Sequence, residues 1–198
     1  MTDTIVREEL PSVRALRLAG GRRVWIRPIR PDDADRLQGY VRGLSGGSRY
    51  NRFLGALNEL SPAELARATR TDDPHRLALI AQGVIGGRCV VVGEARLAFD
   101  PDTASCEFAL SVADAWQGIG LGARLLSDLE CRARMRGARR LFGDTLRTNL
   151  GLQRLVRKAG FDLAAYPGDA RLLQVAKELQ PRGAAMPSDP PPARRLAA

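Results

Sequence analysis

The stretch Gln117-Gly118-Ile119-Gly120-Leu121-Gly122 restricts this chain more than any other. An apolar, alternating run that reads as a strand precedes it, and a run with a helical apolar stripe follows. Three glycines at alternate positions between them allow φ > 0 and let another molecule approach the backbone. The first N–H groups of a helix have no partner within it, and the helix dipole places positive potential there. Such a turn is built to hold phosphate. A P-loop is absent, because no Gly-x-x-x-x-Gly-Lys-Ser/Thr run exists. The dinucleotide pattern Gly-x-Gly-x-x-Gly fits only in its loose form, from Gly118 to Ala123; from Gly120 the sixth residue is Leu125, which fails. That pattern also belongs near the start of a βαβ unit, whereas this one comes after several strand-like runs. A turn with no ligand is the remaining alternative, and three glycines at a helix start cost it stability.

The rest of the chain supplies the frame. Its 198 residues suit one domain with tails, and a 44% hydrophobic fraction is ordinary for a globular core. Residues 1–15 read as a flexible arm, 16–178 as the folded domain and 179–198 as a disordered tail containing proline and arginine. The formal charge is +9, and all but two of the 31 basic residues (Lys158 and Lys177) are arginine. A basic surface favours a polyphosphate ligand or an acidic partner. Nucleic acid is disfavoured, since aromatics make up only 5% and no recognised binding motif is present. Cys89, Cys106 and Cys131 are odd in number and widely spaced, which suits neither a disulfide framework nor a metal cluster. One histidine, His75, lies in a polar turn, so a triad or a histidine-rich metal site is not expected. With no secretory or membrane-spanning run, the expectation is a cytoplasmic protein away from membranes.

Local signals order the elements. Two short strands surround Gly20-Gly21. Pro31 opens a helix with Asp32, Asp33 and Asp35 in its first turn. Gly46-Gly47 breaks it, and a short helix carries Arg49, Tyr50, Arg52 and Phe53. Ser61-Pro62-Ala63-Glu64 has capping-box spacing for a helix through about Thr71. Strands follow at Leu77–Gln82, Arg88–Phe99 (with a bulge expected at Gly93) and Cys106–Val112. In the last of these Phe108, Leu110 and Val112 share one face, and Glu107, Ala109 and Ser111 the other. A helix from Gly120 to about Arg136, a strand Arg140–Leu146, a helix opened by Thr148-Asn149, and two closing strands complete an α+β layout with a mixed central sheet flanked by helices.

Gln117, Gly120 and Gly122 in the spacing Gln-x-x-Gly-x-Gly resemble the acetyl-CoA loop of the GNAT N-acetyltransferases. Asn149, Leu155, Lys158, Gly160 and Phe161 resemble that family's second CoA-binding helix and the Gly-Phe turn after it. Ile26 to Ala34, with Ser48 to Phe53, resembles the bacterial protein lysine acetyltransferases in their stand-alone form. The resemblance spans about residues 16 to 178 and implies the GNAT (acyl-CoA N-acyltransferase) fold, acetyl-CoA as co-substrate, no metal, and an amine acceptor such as a protein lysine. It implies Glu107 as the base that takes the amine proton, directly or through water. It implies backbone contacts to CoA from Leu110, Val112, Gln117, Gly118, Gly120, Gly122 and Ala123, and a contact from Asn149.

Other readings stay open at this point. A lysine amine has a reference pKa of about 10.4, so a nearby base helps at neutral pH, yet Glu107 could equally be a surface residue. Asn149 could be only a helix N-cap. Arg49, Tyr50 and Phe53 could wall the acceptor site or simply lie on a surface helix. Arg124, Arg154 and Arg157 could neutralise CoA phosphates or stay solvated. Many relatives have a tyrosine seven residues after the asparagine to protonate the leaving thiolate; this chain has Val156. An acetyl-CoA-binding sensor and a small-molecule amine acetyltransferase therefore remain alternatives, and a homodimer is left open.

Overall fold

The computed structural model describes residues 13–180. The first twelve residues of the expected arm, and the expected tail from 181 onward, lie outside the described residues. Among the described residues, eight strands form one mixed sheet in the order β1-β2-β3-β4-β5-β6-β8-β7. The strands are β1 Arg14–Arg17, β2 Arg23–Pro28, β3 Arg76–Ile85, β4 Arg88–Asp100, β5 Ser105–Val112, β6 Arg140–Leu146, β7 Asp162–Ala165 and β8 Leu172–Glu178. The helices are α1 Ala34–Gly43, α2 Gly46–Phe53, α3 Pro62–Ala68, α4 Leu121–Met135 and α5 Leu150–Lys158. Both ends of the folded region extend past the expected limits of 16 and 178. β1 begins at Arg14, and Leu179 is buried, with its N–H donating to the Arg139 carbonyl at 2.7 Å.

The strands β1 to β5 form an antiparallel meander; β5 and β6 are parallel. Period-2 alternation divides the apolar residues between two cores. On one face, Phe108, Val112, Ala95 and Leu97 meet Leu121, Leu125 and Leu129 of α4 and Val156 of α5. On the other, Ile80 and Val91 meet Leu37, Tyr40, Val41 and Leu44 of α1 and its exit. The bulge expected at Gly93 lies beside it: Ala81 pairs with Gly93 and Gln82 with Val91, which leaves Val92 as the extra residue.

Two local expectations change. Gly46-Gly47 does not only stop α1; it forms the first turn of α2, with Ser45 as its N-cap accepting from Ser48 N–H at 3.2 Å. The capping box at Ser61 and Glu64 is present, but α3 ends at Ala68 rather than near Thr71. The Thr69 hydroxyl donates back to the Leu65 carbonyl at 3.0 Å, which closes the last turn.

Candidate active site

The glycine turn sits where β5 hands over to α4. Gly118 has φ 74 and Gly120 has φ 95, conformations that side chains resist, and a Cβ at either would meet nothing within 4 Å. Gly120 is the N-cap of α4 and offers no side-chain acceptor to the first turn. The N–H groups that open α4, those of Leu121, Gly122 and Ala123, therefore point outward from an uncapped helix end beside open space. Gly122 differs from its neighbours: a Cβ there would lie 3.3 Å from Leu155 Cδ2, so its smallness also lets α4 pack on α5. Gln117 holds the turn in place. Its Nε2 donates to the Val112 carbonyl at 3.0 Å and to Ser48 Oγ at 3.3 Å.

Beside the turn, β5 and β6 separate. Their pairing covers only Ser105 with Arg140, Cys106 with Leu141 and Glu107 with Phe142. The next approach is too tight for a side chain, since a Cβ on Gly143 would lie 2.6 Å from the Phe108 carbonyl oxygen. Beyond that point the strands splay. The Ala113 N–H bonds the Val92 carbonyl at 2.9 Å on the β4 side. Strand alternation then turns the N–H groups of Val112 and Leu110 the other way, into the splay. These are backbone donors with no strand opposite them, at the end of the strand that feeds the glycine turn. The observed site thus fits the elongated arm and pyrophosphate of a CoA thioester: a gap between strands leads to an uncapped helix end.

Glu107 lies at the last paired position before the splay and is exposed. It lines a cleft of about 440 Å³ on the α1–α3 side of the sheet. Register explains the shape of that cleft. Ala98 lies opposite Glu107, and Arg96 opposite both Ala109 and Ala78, so small side chains form a floor around one arginine. Arg52 of α2 and Arg67 of α3 stand over it, with Arg70 and Arg76 at the rim. Glu94, next to Arg96 on β4, is buried. Its Oε1 accepts from Arg52 Nε at 2.7 Å and its Oε2 from Arg96 Nε at 3.0 Å. Burial alone would raise the Glu94 carboxyl; the two guanidiniums overcome this and hold it below the usual carboxylate range. A larger depression, about 660 Å³, lies between Pro31 and α3, and neither Glu107 nor any residue of the glycine turn lines it.

A second network ties the acceptor side to the turn. Asp114 accepts from Ser45 N–H at 2.9 Å, Ser45 Oγ at 2.7 Å and Ser48 Oγ at 2.7 Å. Burial opposes ionisation of Asp114, but these donors hold its carboxyl below the usual range. With Gln117 on Ser48, the start of α2 is fixed to the residues that flank the glycine turn. On the same face of β5, Ser111 Oγ and Tyr40 Oη lie 2.8 Å apart. Across the splay, Asp144 of β6 has one buried oxygen, Oδ1, with no hydrogen-bond partner among the described residues, and burial raises its carboxyl.

Other residues singled out in the sequence lie elsewhere. Arg49 is a backbone staple: Nε donates to the Leu57 carbonyl at 3.1 Å, and Nη1 to the carbonyls of Arg42 (3.1 Å) and Leu44. Tyr50 is exposed beside Arg171, and Phe53 packs against the second core cluster. None of these three lines the Glu107 cleft; Arg52, lying between them, does. Arg52 belongs to the stretch that the sequence singled out; Glu94, Arg96 and Asp114 are what sequence reading missed. The inward face of β5 could have pointed to Glu94 and Arg96 once the β4 register was known. Asn149 Oδ1 accepts from Leu152 N–H at 3.1 Å, so its side chain caps α5. Val156 is fully buried in the larger core and supplies no proton. Arg154 and Arg157 are exposed on α5, and Arg124 is half-buried in the first turn of α4. Cys106 is fully buried, and burial pushes its thiol up to about 11, so it is unsuited to carry an acyl group. Among the described residues, no three His, Cys, Asp or Glu side chains are grouped to hold a metal ion.

Comparison with known proteins agrees with this geometry. The family model described as "Acetyltransferase (GNAT) family" matches residues 48–161. An acetyltransferase of Pseudomonas aeruginosa is 34% identical over 153 residues, which is 77% of this chain and 82% of the relative. The crystal structure of the GNAT domain of S. lividans PAT is similar with a TM-score of 0.76 and 29% identity, over 86% of this chain and 100% of that one. A cAMP-binding acyltransferase from Mycobacterium smegmatis shares the fold alone, with a TM-score of 0.58 at 19% identity over 86% of this chain and 48% of that one. A strand pair that parts beside an uncapped, glycine-opened helix is thus found in a chain whose sequence matches the same family from α2 to the end of α5, and this chain belongs to the GNAT family as an N-acetyltransferase.

Proposed function

We propose that this chain transfers the acetyl group of acetyl-CoA to a primary amine, a protein lysine, with Glu107 as the base. The observation that carries the reading is the separation of β5 and β6 immediately after Glu107, which puts a carboxylate at the mouth of a gap lined by unpaired backbone donors. Acetyl-CoA supplies an activated acyl carbon and a thiolate leaving group. The turn from Gly118 to Ala123 holds its pyrophosphate through backbone N–H groups and the α4 dipole. Leu110 and Val112 hold the arm along the splay, and a backbone N–H there polarises the carbonyl. Glu107 accepts the proton of the attacking amine, a contribution of about 10²–10⁴ in rate for a positioned base. The new N–C bond forms as the C–S bond breaks. With Val156 buried, the departing sulfur is protonated from solvent or stabilised by backbone donors. The cleft that Glu107 lines opens on the α1–α3 side, which supports an acceptor approaching from there, and the resemblance of Ile26 to Ala34 to protein lysine acetyltransferases favours a protein lysine. The three cysteines are free, as suits a cytoplasmic protein.

Glu107→Gln tests the assignment. Expected is a fall in kcat of ~100-fold or more, with acetyl-CoA affinity unchanged by calorimetric titration. A variant that retains its full kcat removes Glu107 from the chemistry.

A further inference from the structure

The Glu107 cleft is more cationic than an amine-binding site should be. An ammonium entering it meets Arg96 in the floor and Arg52 and Arg67 over it. Among the described residues, Glu94 is the only carboxylate serving Arg52 and Arg96, and it serves both. Arg70 and Arg76 have their own partners, Asp72 and Asp73. Arg67 has no carboxylate within 4 Å among the described residues, and it is exposed at the end of α3. Of the two carboxylates that line the cleft, Asp73 is paired with Arg76, so when Glu107 takes a proton from the acceptor the cationic excess grows.

Donor geometry points the same way. Arg52 uses only Nε on Glu94, and its two Nη groups make no hydrogen bond to the described residues. Its side chain is only 12% exposed, held against Glu94 and over the Phe53 ring at 5.1 Å. A guanidinium fixed at Nε with its fork unfilled is preorganised for a carboxylate. Arg96 is fixed likewise, by Glu94 and by the Ala68 carbonyl at 2.8 Å. The alanines at 78, 98 and 109 leave room above it.

We propose that the acceptor is an amine carrying a carboxylate close by, held by the Arg52 fork and the charge of Arg67 while the amine faces Glu107. This rests on the acetyl-transfer reading and narrows its acceptor. The shared chemistry has two sources, a lysine flanked by Asp or Glu in a protein and a free amino-carboxylate.

The test compares three peptides with one central lysine, flanked by Glu, by Gln or by Arg, together with 6-aminohexanoate and its amide. For each, kcat/KM is measured with acetyl-CoA, and the affinity of the labelled peptides for CoA-loaded protein is measured separately. Expected is a preference of about tenfold for the Glu-flanked peptide over the Gln-flanked one at low ionic strength. The Arg-flanked peptide comes last, and the preference shrinks in roughly 0.5 M salt. Arg67→Glu abolishes or inverts the preference. Arg88→Glu, the same charge change at the far end of β4, ~26 Å along the strand from Arg96, leaves it. Preference for 6-aminohexanoate over its amide with no peptide preference assigns the free amino-carboxylate. Tighter binding of the Glu-flanked peptide with no acetylation of anything would preserve the charge proposal and overturn the transfer reading. Equal kcat/KM for all acceptors, a preference for Arg flanks, or no binding and no turnover would overturn the proposal.

Discussion

Two helix starts in this fold carry the same expectation and differ in their caps. Both α4 and α5 follow a strand, and each was expected to touch CoA, through Gly120 and through Asn149. At α5 the Asn149 side chain fills the first turn by accepting from Leu152 N–H. At α4 the N-cap is Gly120, with φ 95 and no side chain to offer, so the first-turn donors stay available. The general lesson is that a capping residue closes a helix end for its own chain, whereas a glycine in the left-handed region opens it to something else. A third start shows another use. Asp33 precedes α1, yet its carboxylate turns inward to a bidentate pair with Arg27, at 2.7 Å and 2.7 Å, and also accepts from Arg30 N–H.

This contrast can be broken most easily at Gly120. Gly120→Glu places a negative charge among the open donors and a Cβ on a backbone at φ 95. Acetyl-CoA affinity should fall by ~100-fold or more in calorimetric titration, with ~1–2 kcal/mol lost in denaturant melts from strain. Gly120→Ala carries the strain without the charge, so affinity retained in the alanine variant and lost in the glutamate one assigns the effect to the cradle. Binding by the glutamate variant at wild-type strength would mean that α4 does not hold the pyrophosphate.

The Asp33 start should respond to acid. Its carboxyl is lowered from 3.8 to about 2, chiefly by the hydrogen bond from Arg27. A depressed carboxylate contributes stability above its unfolded pKa and loses it as the proton returns, so unfolding free energy should fall by about 2 kcal/mol between pH 4 and pH 2 from this group. Glu94 and Asp114 act in the same direction. Asp33→Asn should flatten that part of a stability-versus-pH curve, and an unchanged slope would assign the acid loss to other carboxylates.

The smallest effect is expected at α5. Asn149→Ala should cost about 1 kcal/mol in stability, the usual value of an N-cap. Acetyl-CoA affinity should change less than ~3-fold. A larger loss of affinity in a variant that melts normally would return Asn149 to the cofactor and make the two helix starts equivalent.

Local chemistry explains why much of this was legible beforehand. The strand β6 has the predicted limits, and the alternation along β5 put Glu107, Ala109 and Ser111 on the face that became the cleft. Caps at Ser61 and Asn149 are contacts within three residues. They are set before any tertiary contact forms, and a single sequence carries them. The arginines show the limit. Arg49 and Arg52 are three residues apart on one short helix; one is bound to three carbonyls and the other to a buried carboxylate 42 residues away. Nothing in their neighbours distinguishes them.

By itself, then, the sequence determined the strand and helix periods, the glycine turn before α4, the residue at the start of α5 that could cap it and the resemblance that pointed to acetyl-CoA. Each is a property of a few consecutive residues, whose backbone preferences and side-chain reach act without the rest of the chain. Only the tertiary structure decided that β5 and β6 part after Glu107, that Asp114 locks α2 to the glycine turn, and that arginines from α2, α3, β3 and β4 converge on the cleft that Glu107 lines. Those outcomes depend on register and on the packing of elements distant in the chain, where burial decides which charges must find partners and which are left facing the cleft.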